Sequence, residues 1–328
     1  MTRSWQTLGN GQLTKLRDDI EFRRYNGHRQ GRGLEVYSAD GTRIHVEISG
    51  PEDGYPIVLS HGMSCSIDFW VNQIQELALE YRVIAYDQRG HGRSERPRRT
   101  GGLADRLGDD LAAVLSATLR PGERALIAGH STGGIAIQSW AHRHPESVRQ
   151  RADTVALINT AAGDVLREWT LLPCPNWTHG FRDRHGSTAI GLLSGAPMPA
   201  RLPGRAALTS LALSPEATPA ARALLQEQLL TTAAATRRRF GRELLGLRSD
   251  SYDPASLTVP TLVICGADDR IMPVRQSYAL ADRLPELIGV IELPGGHCAP
   301  LEQRVEVNRQ LRRLARMGMN TAVCQPIR

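Results

Sequence analysis

The residues best suited to covalent chemistry stand at Gly129-His130-Ser131-Thr132-Gly133, a G-x-S-x-G spacing with Gly134 behind it. The motif closes the apolar run RALIAG and opens the helical run IAIQSWAHRH, which is the strand-turn-helix setting of a nucleophile elbow. So sharp a turn needs glycines where a Cβ would meet neighbouring backbone, and it holds the Ser131 hydroxyl exposed above the sheet. The plainer reading, a serine in an ordinary Gly-rich turn, does not account for the strand and helix on either side. A serine hydroxyl is a weak nucleophile at neutral pH and needs a base that is itself oriented by an acid. His297 follows GVIELPGG, whose glycines let a loop carry an imidazole to the serine, and it is the candidate base. His130 sits inside the elbow, His142 and His144 end the next helix, and His91, His179 and His185 on loops fit less well. The acid belongs after the preceding apolar run, TLVICG, where Asp268 and Asp269 could each serve.

These residues need a frame that brings strand ends together. LEVYSAD and TRIHVEISG flank Asp40-Gly41, a hairpin signal because those residues tolerate the positive φ of a tight turn. Short apolar runs then alternate with helical patterns. PIVLSHG, RVIAYD, RALIAG, TVALINTA, TLVICG and GVIELPG read as strands, with helices over 67–80, 103–119 and after Ser131. Fully apolar strands alternating with helices imply a mostly parallel sheet covered on both faces, so the fold class is doubly wound α/β with an antiparallel N-terminal hairpin. The beat stops between about Gly163 and Ser256, and so long an excursion predicts an inserted helical lid rather than a structureless loop. The expected organisation is a loosely held arm over 1–33, a core from 34–163 and 257–317, a lid over 164–256 and a frayed tail over 318–328.

Taken together, these motifs resemble the α/β-hydrolase superfamily, from about Leu34 to Met317 and excluding most of the lid. The resemblance implies the triad order Ser131, Asp269, His297. Its common G-x-x-D followed by a basic or polar residue and proline places the acid at Asp269 and leaves Asp268 as a loop or capping residue. Leu59-Ser60-His61-Gly62-Met63 resembles the HG-x turn of that superfamily, which implies an oxyanion hole built from the Met63 and Thr132 N–H groups. Asp87-Gln88-Arg89-Gly90-His91-Gly92-Arg93-Ser94 resembles its D-x-R-G-x-G-x-S segment, read here as a structural turn in which Asp87 and Arg89 bond the backbone. Epoxide hydrolases and haloalkane dehalogenases of this fold carry aspartate at the elbow, and Ser131 argues against both.

The expected function is therefore a serine hydrolase acting on an ester or thioester through an acyl-enzyme, with no cofactor and no metal. Trp169, Leu171, Leu172, Trp177 and Phe181 in the lid read either as an apolar acyl pocket or as packing of the lid on the core. Fold alone does not fix the reaction. Cofactor-free haloperoxidase-like enzymes, C–C bond hydrolases and biosynthetic acyltransferases or thioesterases share the scaffold; a non-catalytic binding protein would have no need of the full constellation.

Composition sets the outer limits. In 328 residues there are 40 basic against 34 acidic side chains, a formal charge of +6, yet Lys15 is the only lysine. The arginines are spread among acids along the chain rather than clustered as a nucleic-acid binder requires, so a GC-rich coding bias is the better account and no nucleic-acid partner is expected. The five cysteines show no C-x-x-C pair or metal-ligand spacing. Neither a signal-peptide apolar stretch nor a membrane span of about 18 apolar residues is present, and the expected location is cytoplasmic. The expected partner is a small-molecule acyl substrate.

Overall fold

In the computed structural model the described residues are 5, 8, 10–27, 31–96, 102–163, 209–248 and 250–323. Among them the strands form one eight-stranded sheet, ordered β1-β2-β4-β3-β5-β6-β7-β8. β1 (Arg32–Tyr37) and β2 (Arg43–Ser49) make the expected hairpin, its turn closed by Gly41 N–H donating to Ser38 O at 2.8 Å with Gly41 at φ 77°. β2 also pairs antiparallel with β4 (Arg82–Tyr86). The remaining pairs, through β3 (Pro56–Ser60), β5 (Ala125–His130), β6 (Ala152–Ile158), β7 (Thr261–Gly266) and β8 (Leu287–Leu293), are parallel.

Every residue of β3 to β7 is buried, as the uninterrupted apolar runs require. Successive side chains point to opposite faces, and the two cores follow that alternation. Ile57, Leu59, Leu126, Ala128, Ile158 and Ile264 pack against one layer, which includes Ile74 of α3 (Val71–Leu77) and Val307, Leu311 and Leu314 of the C-terminal helix. Val58, Ile127, Val155, Leu157 and Val263 pack against α4 (Leu103–Thr118), α5 (Thr132–Arg143) and α6 (Pro145–Arg151) on the other.

At both ends the described residues include helix. Before Leu34, where the sequence shows no period, the described residues are ordered in part. They form α1 (Asn10–Leu16) and α2 (Ile20–Tyr25), capped by Asp19, and bury Leu8, Leu16, Phe22 and Tyr25 in the first core, with Trp5 stacked on Phe22 at 4.6 Å. Helices this short display no amphipathic period and owe their stability to docking. The last helix runs Arg304–Val323, past the expected end at Met317.

Within the insertion, residues 164–208 lie outside the described set, and with them Trp169, Leu172, Trp177 and Phe181. Its described remainder is helical: α7 (Pro219–Thr231) and α8 (Ala234–Leu245). Phe240 of α8 packs on Leu103, Leu107 and Ala136, and Leu244 on Ala104 and Ile135, with Met63 against both groups. This seats α8 over α4 and α5 beside the turn that carries Ser131. α9 (Val274–Ala281) and the short α10 (Ala299–Glu302) follow β7 and β8, and α11 (Arg304–Val323) closes the chain.

Candidate active site

Ser131 stands between β5 and α5 with φ 52° and ψ −117°, a left-handed conformation costing a non-glycine residue about 1–3 kcal/mol. The turn is over-determined by its neighbours. Ser131 N–H donates to Ile158 O at 3.0 Å, while its carbonyl accepts from Gly134 N, Ile135 N and the Thr160 hydroxyl. The motif's glycines are there for space: a Cβ on Gly129 would lie 2.4 Å from Gly133 O, and one on Gly133 would lie 2.0 Å from Ser60 O. Close packing of β3 against the elbow also brings Gly62 beside the serine, since a Cβ on Gly62 would sit 3.1 Å from Ser131 Cβ.

His297 enters from the loop after β8, with Gly295 at φ 117°. Its Nδ1 lies 2.8 Å from Asp269 Oδ2. A carboxylate only accepts, so Nδ1 carries a proton, and in the neutral ring this tautomer leaves the lone pair on Nε2. Asp269 is buried and held on both oxygens: Oδ1 accepts from Ile271 N and Met272 N at 2.9 and 2.8 Å, and Oδ2 also accepts from Asn159 Nδ2 at 2.9 Å. Asp268 is exposed, and its backbone N–H donates to Gly295 O. The geometry thus joins His297 to Asp269 and not to Asp268. No hydrogen bond joins Ser131 Oγ to His297 Nε2 among the described residues; such contacts are often long in a ligand-free site and tighten with substrate.

Several residues hold this arrangement that the sequence did not single out. Asn159, at φ 47° just past β6, bonds both Asp269 and Gly296 O. His130 Nε2 donates to His297 O at 2.8 Å while the ring stacks on Phe69. Its own burial and the nearby His297 keep His130 neutral, well below the usual imidazole range, so it braces the loop and does not act as a base. Glu302 accepts from Gly296 N and Cys298 N through Oε1 and from Ser214 N through Oε2, and His297 N–H donates to Ala212 O. The start of the described insertion is therefore bonded to the loop that carries His297.

Met63 is half-buried and Thr132 is the first residue of α5. Neither N–H has a hydrogen-bond acceptor among the described residues, and the N–H groups of a first helical turn have no partner within the helix. The Asp87 turn is structural, as expected, with one difference. Asp87 accepts from Ile67 N and Arg93 N, and burial raises its carboxyl to about 6. Arg89, however, bonds no backbone: it forks onto Asp110 at 2.7 and 2.6 Å and reaches Asp40 and Ser38. A buried guanidinium needs charge partners rather than carbonyls, and those lie far off in sequence. Burial pushes the Cys65 thiol up to about 12 and raises Cys298 as well, so neither supplies a thiolate nucleophile. Among the described residues no group of three or more His, Cys, Asp or Glu side chains is placed to hold a metal ion, and no helix is long and apolar enough to cross a membrane.

A family model described as the alpha/beta hydrolase fold matches residues 55–303. The chain belongs to the α/β-hydrolase fold family. It is 30% identical over 279 residues to a protein of Variovorax paradoxus (strain S110) provisionally named carbamate hydrolase RutD, covering 82% of this chain and 94% of that one. It is 44% identical over 109 residues to the non-heme chloroperoxidase of Streptomyces lividans, a match that takes in 33% of this chain and 38% of that protein. In structure it is similar to a provisionally assigned aryl esterase from Burkholderia cenocepacia, with a TM-score of 0.72, 22% identity and coverage of 88% of this chain and all of that one. Membership in this family and these neighbours support an enzyme of the α/β-hydrolase class.

Proposed function

We propose that this α/β-hydrolase cleaves a carboxylic ester or thioester through an acyl-enzyme on Ser131. The observation that carries the reading is the Asp269–His297 pair, at 2.8 Å, on the same edge of the sheet as a serine held in the elbow conformation. Ser131 Oγ adds to the substrate carbonyl as His297 Nε2 takes its proton, and Asp269 stabilises the imidazolium and fixes the ring. The negative oxygen that forms is met by Met63 N–H and Thr132 N–H, donors worth about 10²- to 10³-fold in rate apiece because they act on charge absent from the ground state. Collapse breaks the C–O or C–S bond, His297 returns the proton to the leaving alcohol or thiol, and water activated by His297 releases the acid. The inserted segment is the lid of this scheme, through its described helices α7 and α8.

The test is a series of p-nitrophenyl esters of increasing chain length run beside acyl-CoA substrates, with a stopped-flow search for a burst of p-nitrophenol equal to the enzyme present. Turnover with a burst supports the acyl-enzyme; no turnover of any ester or thioester refutes it. The similarity to a chloroperoxidase favours a second reading, perhydrolysis, in which hydrogen peroxide replaces water in the second step. Peracid formation from acetate and peroxide faster than ester hydrolysis would select that reading instead.

A further inference from the structure

Gln88 lies at the second position of the Asp87-Gln88-Arg89-Gly90 turn, has no role in the scheme above, and is fully buried. It touches both halves of the oxyanion site. Its backbone N–H donates to His61 Nε2 at 2.9 Å, and its side-chain Nε2 donates to His61 O at 2.5 Å and to Ser60 Oγ at 3.3 Å. Its Oε1 accepts from the Thr132 hydroxyl at 3.2 Å.

The first of these bonds settles where the proton of His61 sits. A backbone N–H only donates, so Nε2 bears the lone pair and Nδ1 carries the hydrogen, which goes to Gly62 O at 2.7 Å. Gly62 O also accepts from Cys65 N at 3.2 Å. In a trans peptide the carbonyl and the following N–H point in opposite directions, and no cis bond is present among the described residues. Gripping Gly62 O from one side therefore aims Met63 N–H to the other. On the far side of the gap, the Thr132 hydroxyl is tied to the same glutamine, at the residue whose N–H follows the nucleophile.

We propose that Gln88 is a positioning residue that sets the Met63 and Thr132 N–H groups relative to one another, so that both reach one oxyanion. The inference rests on the serine-hydrolase reading above. Only an amide of this length can donate to His61 O with one atom and accept from Thr132 with the other; glutamate would turn an acceptor on the His61 carbonyl, and leucine would offer neither bond. Because the site acts on charge that develops in the transition state, slackening it lowers kcat and leaves KM in place.

Gln88→Leu removes the link, and Thr132→Val and Thr132→Ser check it from the other side should the buried leucine unfold the chain. Valine loses the hydroxyl while keeping the N–H, and serine keeps both. The readouts are kcat and KM on p-nitrophenyl acetate, Ki for an aryl trifluoromethyl ketone whose hemiketal oxyanion occupies the site, and thermal unfolding. Gln88→Leu and Thr132→Val are expected to lose about 10- to 100-fold in kcat, less than the roughly 10²- to 10³-fold for a donor removed outright, because the N–H is displaced and not lost. They should lose a similar factor in inhibitor affinity and keep KM within about threefold, whereas Thr132→Ser, which restores the hydroxyl, should recover most of the kcat and inhibitor affinity that Thr132→Val loses. Unchanged kcat and Ki in folded Thr132→Val, a loss confined to KM, or an equal loss in Thr132→Ser overturns the role of Gln88. A fluorophosphonate run on the wild type separates the two levels: no adduct on Ser131 overturns the hydrolase reading itself, whereas a labelled wild type with undiminished variants overturns only the positioning role.

Discussion

Replacing Asp269 by asparagine tests the orientation of the base. The carboxylate accepts four hydrogen bonds, from Ile271 N and Met272 N on Oδ1 and from Asn159 Nδ2 and His297 Nδ1 on Oδ2. An amide has one acceptor oxygen and one donor nitrogen. With its oxygen toward the two backbone N–H groups, its NH₂ faces Asn159 and His297; the imidazole must then accept at Nδ1 and carry its proton on Nε2, where it can no longer take one from serine. With the amide turned over, two buried N–H groups face another donor, at about 1–3 kcal/mol each. The first arrangement is the less costly, and a base locked in the wrong tautomer loses about 10⁴-fold in kcat, equal to about 5 kcal/mol. Asp268→Asn alters an exposed side chain and should stay within about threefold of wild type, since surface changes of this kind cost at most about 0.5 kcal/mol. The assay is p-nitrophenyl acetate hydrolysis, with thermal unfolding run in parallel to confirm that both variants are folded. Retention of more than a tenth of the activity by folded Asp269→Asn, or a large loss in Asp268→Asn, refutes the assignment of the acid.

Three further outcomes are expected. Gly133→Ala places a Cβ 2.0 Å from Ser60 O; the elbow cannot yield without moving β3, so the variant should be destabilised by at least about 1–3 kcal/mol in urea titration and lose ester hydrolysis. Glu302→Ala strips the acceptor from Gly296 N, Cys298 N and Ser214 N and should lower kcat on p-nitrophenyl acetate about tenfold or more through a loosened His297 loop; unchanged kcat would contradict the bracing role. Acid should destabilise the fold, because burial holds His61 at about 3 and His91 at about 4. Between those values and the ordinary 6.5 the unfolded chain binds protons that the folded chain refuses, so this contribution is intact above 6.5 and lost as pH falls. Asp87, raised to about 6, works oppositely over part of the window, keeping in the folded state a proton the unfolded chain releases. Three histidines, His130 included, against the raised carboxyls of Asp87, Asp110 and Asp153 leave a net loss of stability as pH falls from about 6.5 to about 4.5, measurable by urea unfolding at each pH, and a flat profile would refute the balance.

What could be read in the sequence was whatever local order declares. The buried strands show as unbroken apolar runs, the Asp40-Gly41 turn as a hairpin, and the elbow as glycines between strand and helix. The choice of Asp269 over Asp268 rests on motif resemblance; what no motif shows is that Asp269 is buried with four donors around its carboxylate. Contacts distant along the chain left no local mark. Arg89 finds Asp110, Asn159 finds Asp269 and Glu302 finds Ser214 only after the sheet has assembled, and nothing beside Asn159 in INTA distinguishes it from a strand residue. The N-terminal helices were missed for a related reason: at seven and six residues they are too short to show a period, and their order comes from Phe22 and Tyr25 docking in the core.

The central claim is that Ser131 is the nucleophile and His297 its base, and covalent capture addresses it most directly. Wild-type protein, Ser131→Ala and His297→Ala would be treated with a fluorophosphonate and the adduct located by mass spectrometry. The account predicts one adduct per chain, on Ser131, absent from Ser131→Ala and formed far more slowly in His297→Ala. A wild type that stays unlabelled, an adduct on another residue, or an undiminished rate in His297→Ala would contradict it.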